Sequence, residues 1–280
     1  MDWRNRLFVG DSRHMEAIPA SAIDLIVTSP PYNIGRQYVS HNDDMPLHEY
    51  LAMLNQVWRE CYRVLRPGGR LCINIANVER QPYNPLNARI TMGVIAASMD
   101  QVSFLMRGEI IWNKAASVGV STAWGSWRSP SNPTLRDVHE YIMVYSKEQF
   151  RLPKPEAHSY SDITPQEFTE YTKSIWSFGT ESAKRIGHPA PFPIELPRRL
   201  IKLYTYTDGV VLDPFVGSGT TCLAAKELGR TWAGYDIAPE YIHLAEGRLQ
   251  HASAPPPPVA LVPAPKALTK QRTLSRKRAH

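Results

Sequence analysis

Residues 210–221 read Val-Val-Leu-Asp-Pro-Phe-Val-Gly-Ser-Gly-Thr-Thr, and this stretch decides the fold class. The apolar run at its start suits a short buried strand, and the segment from Thr220 to Leu228 suits a helix. The glycines between them permit positive φ and a close approach of the backbone to a ligand. The N–H groups of the first helical turn then face that ligand. The order strand, glycine turn, helix therefore predicts an α/β fold with a ligand site at the strand's end.

The glycine pattern excludes two common phosphate sites. A Walker loop requires a Lys after its glycines, and none follows here. The third glycine of the dinucleotide fingerprint is also absent. Asp213, directly after the strand, would repel a pyrophosphate but suits a cationic or hydroxyl-rich ligand. A further strand pattern ends at Asp236, about 20 residues past the glycines, where nucleoside-binding units place a ribose-binding carboxylate. The alternative is that Asp213 and Asp236 are ordinary capping or turn residues.

A second motif, Thr-Ser-Pro-Pro-Tyr-Asn at residues 28–33, follows the apolar run from Ile23 to Val27. This run has the length and β-branching of a buried strand. Two consecutive prolines cannot continue a sheet, and Pro30 pushes Ser29 into an extended conformation. The motif predicts a stiff turn at a strand end, with a hydroxyl on one side and an aromatic ring on the other. A rigid surface turn without a functional role is the alternative.

Together the two motifs resemble those of the DNA amino-methyltransferases that use S-adenosylmethionine, in the group whose catalytic turn precedes the cofactor glycines. The resemblance covers most of residues 5–250, with further ordered matches at 8–12, 65–76, 109–114, 139–147 and 188–193. It implies an α/β, Rossmann-like methyltransferase fold: a mostly parallel twisted sheet with helices on both faces and a small inserted target-recognition region. The implied catalytic residues are Ser29, Pro30, Pro31 and Tyr32. The implied cofactor-binding residues are Asp11, Thr28, Phe192, Asp213, Phe215, Gly217, Ser218, Gly219, Thr220 and Asp236.

The chemistry of the proline turn can be argued from its residues. An exocyclic amine of cytosine or adenine is a poor nucleophile, because its lone pair is delocalised into the ring. It needs hydrogen-bond acceptors that receive its growing positive charge. The Ser29 hydroxyl and the backbone carbonyl of Pro30 can supply them. Tyr32 offers a face on which a flipped base can stack, worth about 1–3 kcal/mol.

Which amine is methylated depends on Ser29. A serine at this position resembles members of the family that act on cytosine N4, and an aspartate resembles those that act on adenine N6. We expect N4-cytosine methylation of duplex DNA by base flipping and direct displacement, with N6-adenine as the alternative. An RNA, protein or small-molecule methyltransferase, or an inactive DNA-binding module, is a further alternative. A C5-cytosine mechanism is disfavoured because it needs a nucleophilic Cys, whereas Cys61, Cys72 and Cys222 lie in apolar patterns that predict burial.

Charge and composition predict the domain organisation. The 280 residues carry a net charge of +6 from 32 basic and 26 acidic side chains. Six of the basic residues lie in the Pro-rich tail 252–280, which has no acid, so the remainder is neutral and must bind DNA through a local basic face. We expect a methyltransferase domain over 1–251, with 148–187 as the target-recognition insertion. The tail is expected to be disordered, either as a DNA-tethering arm or as a solvated terminus.

The motif residues and the family resemblance also predict the binding partners. Duplex DNA is the expected substrate, and the DNA-binding candidates are Asn33, Trp124, Trp127, Arg128 and Arg136, four of them in a loop rich in Ser, Gly and Pro. The alternative is that the loop tryptophans cover the core. The resemblance also suggests a homodimer and a cognate restriction endonuclease acting on the same DNA site. The sequence shows no metal-binding pattern, signal peptide or membrane span, so we expect a cytoplasmic protein.

Periodicity predicts the remaining elements of secondary structure. Apolar residues recur at helical spacing from Leu47 to Leu65, with Trp58 in the predicted core. Strands are expected near 70–76, 105–112 and 140–145. Further helices are expected near 86–99, 194–204, 219–228 and 239–250.

Overall fold

The computed structural model describes residues 2–33, 45–76, 102–114, 128, 130–131, 138–153, 158–182, 186 and 191–252. The strands in this part of the chain are β1 (Arg6–Val9), β2 (Ile23–Thr28), β3 (Leu65–Ile75), β4 (Leu105–Asn113), β5 (His139–Ser146), β6 (Ile175–Ser177), β7 (Val210–Asp213) and β8 (Thr231–Asp236). The helices are α1 (Leu47–Val64), α2 (Pro165–Tyr171), α3 (Glu195–Tyr204), α4 (Thr220–Glu227) and α5 (Pro239–Gln250).

All these strands belong to one sheet, in the order β1-β8-β7-β2-β3-β5-β4-β6. The first five in this order are parallel to one another. Strand β5 runs antiparallel to both of its neighbours, and β6 adds a short parallel edge beside β4. The predicted α/β fold with a mostly parallel sheet is therefore confirmed.

Two apolar clusters cover the two faces of the sheet. On one face, α1 buries an apolar stripe that includes Leu54, Trp58 and Cys61 against strands β2 and β3. On the other face, α3, α4 and α5 pack over the same strands and their neighbours, and Cys72 and Cys222 lie in this cluster. The predicted core position of Trp58 and the burial of all three cysteines are confirmed, and none of the cysteines is in a disulfide.

The predicted elements differ from the observed ones mainly at their ends. Strand β3 begins at Leu65 rather than near residue 70, because Leu65 already pairs with Ile23 before an irregularity in the register. Gly68, at φ +79°, lies within this irregular part, and its N–H donates to the carbonyl of Lys147. The predicted helix near 86–99 and most of the tail 252–280 lie outside the described residues. None of the helices in the described ranges is both long and apolar enough to span a bilayer.

The described part of the region 148–187 packs onto the domain through helix α2 and strand β6, neither of which was predicted. Trp176 of β6 is fully buried, and the Arg199 guanidinium lies over its ring and over the rings of Tyr171 and Phe178. Upstream, Asp162 forms a two-pronged ion pair with the buried Arg230, at 2.6 and 2.8 Å. Weak sequence periodicity hid both elements, although Thr164 and Glu167 form a capping box at the start of α2, a local signal that was missed. A role of this region in target recognition stays a prediction.

Trp176 offers a test of how firmly this region is anchored. We expect Trp176→Ala to lower the free energy of unfolding by about 3–5 kcal/mol, because it leaves a large cavity under the edge of the sheet. The neighbouring side chain of Ile175 is 56% exposed, so Ile175→Ala should change stability by no more than about 0.5 kcal/mol. Urea denaturation of both variants measures the difference. Equal midpoints would show that the region is not part of the cooperative core.

Candidate functional site

The candidate site lies where strands β2 and β7 end side by side. The two strands are parallel neighbours, yet the chain continues from β2 to β3 on one side and from β7 to β8 on the other. A reversal of this kind opens a crevice beyond the carboxyl ends of the strands, where α/β folds bind their ligands. Thr28 is the last residue of β2 and Asp213 the last of β7. The two motifs singled out from the sequence therefore meet at one edge of the sheet.

A buried hydrogen bond joins the two motifs. The Thr28 hydroxyl donates to Oδ1 of Asp213 at 2.7 Å, across 185 residues of sequence. The backbone N–H of Phe215 donates to the same oxygen at 3.1 Å. Both side chains of the pair are buried, and burial raises the pKa of Asp213 to about 6, against the opposing effect of the Thr28 and Thr221 hydroxyls. The site thus holds a carboxylate that a nearby cation would stabilise in its ionised form.

The loop after β7 is shaped by its glycines and by Asp236. Gly217 and Gly219 both have positive φ, at +47° and +79°. The N–H of Gly217 donates to Oδ2 of Asp236 at 2.9 Å, and the N–H of Ala238 donates to Oδ1 at the same distance. Asp236 therefore ties the glycine loop to the end of β8. Its carboxylate lies at the same sheet edge as that of Asp213.

Arg248 of helix α5 holds this loop in place through hydrogen bonds, and it was not predicted from the sequence. One guanidinium nitrogen donates to the Ser218 carbonyl at 2.5 Å, to the Ser218 hydroxyl at 2.9 Å and to the Thr220 hydroxyl at 3.0 Å. Ser218 and Thr220 are buried, so both hydroxyls serve to fix the loop. No local signal marks Arg248, because its partners lie some 30 residues earlier in the chain.

The proline turn lies on the other side of the crevice. Pro30 is buried, and the carbonyl of Pro31 accepts a hydrogen bond from the Tyr50 hydroxyl of α1 at 2.7 Å. The Ser29 hydroxyl donates to the Tyr32 hydroxyl at 3.2 Å. Helix α1 thus braces the turn, and the serine and tyrosine side chains are held next to each other.

Residues at the ends of β1 and β8 complete the edge. The rings of Phe8 and Tyr235 are stacked with centroids 4.7 Å apart. Val9 pairs in register with Asp236, and the next residue after Asp236 is Ile237. These two apolar side chains, Val9 and Ile237, are 56% and 50% exposed, which leaves apolar surface on both sides of the carboxylate. Val9 lies in the matched segment 8–12, whereas Ile237 was not singled out from the sequence.

Two predicted cofactor residues lie at the margins of this arrangement. Asp11 forms an ion pair with Arg13 at 2.5 Å, and this hydrogen bond lowers the pKa of Asp11. Phe192 is half-buried and packs against the cluster that holds α3, α4 and α5. The segment 188–193 is described only from residue 191 onward.

The structure describes two of the five DNA-binding candidates. Trp124, Trp127 and Arg136 lie outside the described residues. Arg128 is described and exposed, with φ +61°. Asn33 is 5% exposed, and its amide exchanges two hydrogen bonds with the backbone of Met45, at 2.7 and 2.9 Å. A DNA contact through the Asn33 side chain would therefore require these two hydrogen bonds to break.

A carboxylate that was predicted only as part of a strand also reaches the turn. Glu140 of β5 accepts a hydrogen bond from the Tyr32 hydroxyl at 3.1 Å and one from Asn74 at 2.6 Å. Lys114 forms an ion pair with the other carboxylate oxygen at 2.6 Å. An acid at the start of an apolar strand was the only signal in the sequence. Within the described ranges, no group of three or more His, Cys, Asp or Glu residues is arranged to hold a metal ion.

Comparison with known proteins gives a consistent set of relatives. The family model of the N6 and N4 methyltransferases, described as DNA methylase, matches residues 23–247. The type II methyltransferase M.MjaI of Methanocaldococcus jannaschii is 30% identical over 83% of this chain and 87% of its own length. The type II methyltransferase M.ScaI of Streptomyces caespitosus is also 30% identical, over 87% of this chain and 81% of its own length.

Solved structures show the same likeness. A DNA modification methylase of Thermus thermophilus, in complex with S-adenosyl-L-methionine, is 30% identical and superposes with a TM-score of 0.69. The match covers 88% of this chain and 93% of that one. The PvuII DNA methyltransferase, described as cytosine-N4-specific, has a TM-score of 0.67 over 86% of this chain and 85% of its own. At 24% identity the PvuII match extends to the fold only.

The glycine loop yields a matched pair of substitutions. A Cβ on Gly219 would lie 2.8 Å from the Cβ of Ala245, and its φ of +79° disfavours any other residue. We therefore expect Gly219→Ala to lower the free energy of unfolding by about 1–3 kcal/mol. Gly247 on α5 has open space around its Cα, so Gly247→Ala should stabilise by up to about 1 kcal/mol. Thermal unfolding of the two variants measures this, and a Gly219→Ala protein as stable as the parent would contradict it.

Proposed function

The chain belongs to the DNA methylase family of N6 and N4 amino-methyltransferases, and on this premise we propose that it methylates the exocyclic N4 amine of cytosine in duplex DNA. S-adenosylmethionine is the methyl donor. The observation that carries the proposal is the 2.7 Å bond between Thr28 and Asp213, since it holds the proline turn and the glycine loop at one crevice. The coarser function, DNA amino-methylation, follows from the family. The choice of cytosine N4 is ours.

The residues of the glycine loop suit the methyl donor. Asp213 and Asp236 present two carboxylates at the ends of adjacent strands, which match the cationic and the hydroxyl-bearing parts of a sulfonium nucleoside. Val9 and Ile237 flank Asp236 with exposed apolar surface that suits an adenine ring. We assign the remaining contacts to Asp11, Thr28, Phe192, Phe215 and residues 217–220. When bound there, S-adenosylmethionine supplies a methyl group on a cationic sulfur, which keeps the electron pair of the broken C–S bond.

The proline turn then has two tasks. Ser29 and the Pro30 carbonyl accept hydrogen bonds from the target amine, so that its lone pair is drawn out of the ring and forms the new N–C bond. Pro30 and Pro31 keep these acceptors fixed, which lowers the reorganisation needed during the reaction. Tyr32 stacks on the flipped base. The N–H proton displaced from the amine is lost to solvent.

Ser29 supports the choice of cytosine N4. A serine in this position resembles the members of the family that act on cytosine N4. The Ser29 hydroxyl also lies 3.2 Å from the hydroxyl of Tyr32, the residue proposed to stack on the base. Methylation of adenine N6 is the second candidate, because both amines need the same kind of acceptor.

The product of the reaction decides between the two amines. We expect unmethylated duplex DNA, incubated with radiolabelled S-adenosylmethionine and digested to nucleosides, to yield N4-methylcytosine. Ser29→Ala should lower kcat by about 100- to 1000-fold, because it removes one acceptor from the developing charge. RNA and a protein extract serve as control substrates. N6-methyladenine as the sole product would overturn the choice of amine, and transfer to RNA alone would overturn the choice of substrate.

The raised pKa of Asp213 predicts a pH-dependent affinity for the methyl donor. Below a pKa of about 6 the carboxyl is protonated and no longer attracts the cationic ligand. The dissociation constant should therefore rise about tenfold per unit as the pH falls below about 6, and be flat above it. Calorimetric titration of the wild-type protein and of Asp213→Asn measures this. The asparagine variant should bind weakly with no break near this pH, and an unchanged break would assign it to another group.

The further assignments made from the sequence stay predictions. They comprise the domain bounds, the insertion 148–187 as target-recognition region, a homodimer, a cognate endonuclease and a cytoplasmic location. Three of the DNA-binding candidates, Trp124, Trp127 and Arg136, and most of the basic tail lie outside the described part of the chain.

A further inference from the structure

Glu140 is held in a network of side chains that leads directly to Ser29. Its Oε2 atom accepts hydrogen bonds from the Tyr32 hydroxyl at 3.1 Å and from Nδ2 of Asn74 at 2.6 Å. Its Oε1 atom accepts one from Nζ of Lys114 at 2.6 Å. Nδ2 of Asn74 also donates to the Tyr32 hydroxyl at 3.2 Å. The proposed function uses none of Glu140, Asn74 and Lys114.

The charges of this network determine the direction of every hydrogen bond in it. A carboxylate only accepts and an ammonium only donates, so Lys114 and Tyr32 must both donate to Glu140. The amide of Asn74 is fixed in the same way, because the opposite orientation would place its oxygen against the carboxylate. Its Oδ1 atom is buried and has no hydrogen-bond partner in the described part of the chain. Leaving this oxygen unsatisfied is costly, which shows that the carboxylate determines how the amide is turned.

The same logic extends through Tyr32 to the serine. The hydroxyl of Tyr32 has one proton, which is donated to Glu140, and two lone pairs, which accept from Asn74 and from Ser29. Tyr32 therefore cannot donate to Ser29. The Ser29 hydroxyl must donate its own proton to Tyr32, so its lone pairs are directed away from Tyr32 and remain available as acceptors.

We propose that Glu140 is a positioning residue that makes Ser29 a hydrogen-bond acceptor for the target amine. The inference rests on the proposed function, in which Ser29 must accept and not donate. A free serine hydroxyl can do either, whereas a carboxylate in its place would need no such control. Glu140 thus acts through Tyr32 and Ser29 without touching the amine, and Lys114 and Asn74 hold it in place.

The substitution Glu140→Gln tests the direction of the chain while keeping the size of the side chain. The carbonyl of the glutamine will pair with Lys114, which turns its NH₂ group toward Tyr32. Tyr32 must then accept there, so its proton is no longer held by residue 140, and the Ser29 hydroxyl is no longer held as a donor to Tyr32. We expect kcat to fall by about 100-fold, as when a preorganised hydrogen-bonding group is lost. KM for DNA and the affinity for S-adenosylmethionine should change by no more than about twofold, because ground-state binding is unaffected.

A double substitution separates orientation from structural support. In Ser29→Asp the acceptor no longer depends on the orientation of a hydroxyl, so adding Glu140→Gln should lower kcat by less than about threefold. Tyr32→Phe keeps the stacking ring but breaks the chain. It should lower kcat as much as Glu140→Gln, and the two together should lower it no further. The exposed Glu109 on β4 provides the matched control, and Glu109→Gln should leave kcat unchanged.

Each other outcome has a definite meaning. An equal loss from Glu140→Gln in the Ser29 and Ser29→Asp backgrounds, or no loss in either, would overturn the inference and leave the proposed function intact. If Glu140→Gln fails to fold or the Ser29→Asp protein is inactive, Tyr32→Phe decides, and full activity in that variant would overturn the inference. A wild-type chain that methylates no DNA would instead overturn the proposed function, and with it the role of Glu140.

Discussion

The hydrogen bond from Thr28 to Asp213 is the interaction on which the site depends. Strands β2 and β7 pair only through Leu25 with Val211 and Ile26 with Leu212, and beyond these pairs the chain leaves them in opposite directions. The ladder ends just before Thr28 and Asp213, and beyond it the Thr221 hydroxyl donates to the carbonyl of Val27 at 3.2 Å. The Thr28–Asp213 bond, at 2.7 Å and fully buried, adds the constraint that joins the proline turn to the glycine loop side chain to side chain. It therefore helps to set the distance between the proline turn and the glycine loop, to which the proposed function assigns the base and the methyl donor.

Burying the Asp213 carboxylate costs free energy, and a bound cation can offset that cost. Burial shifts the pKa of Asp213 from 3.8 to about 6, which corresponds to about 3 kcal/mol against the charged form at neutral pH. The sign follows from linkage: the protonated form is favoured in the fold, so this contribution to stability is lost as the pH rises through about 6. A cation bound beside the carboxylate reverses that loss. In the proposed function, the protein thus keeps a destabilising charge at the point where the cationic methyl donor would offset it.

Much of this architecture could be predicted from the sequence because its determinants are local. The glycine loop, the proline turn and the helical stripe of α1 each carry their signal within about a dozen residues, and a strand that ends in an acid is visible as such. Helix α2 was missed although the capping box of Thr164 and Glu167 marks its start. Strand β6 could not be predicted, since it is held by contacts such as that of Trp176 with Arg199, which meet across a long stretch of chain. Arg248 and Glu140 were missed for the same reason. Their side chains look ordinary until the fold brings Ser218 and Tyr32 beside them.

The turn itself shows how one extended segment can serve two partners. Ser29 precedes a proline and is therefore held in an extended conformation, and successive side chains of extended backbone point in opposite directions. Thr28 reaches the carboxylate of Asp213, and Ser29 reaches the hydroxyl of Tyr32 and, through it, the carboxylate of Glu140. Each neutral hydroxyl therefore donates toward a carboxylate. Thr28 donates to it directly, and Ser29 does so through the hydroxyl of Tyr32. In the proposed function, this arrangement places a neutral hydroxyl next to the amine, and the charge of Glu140 still determines the direction of that hydroxyl. On the proposed function, Glu140 is thus what lets the serine of this turn perform the acceptor role of a carboxylate.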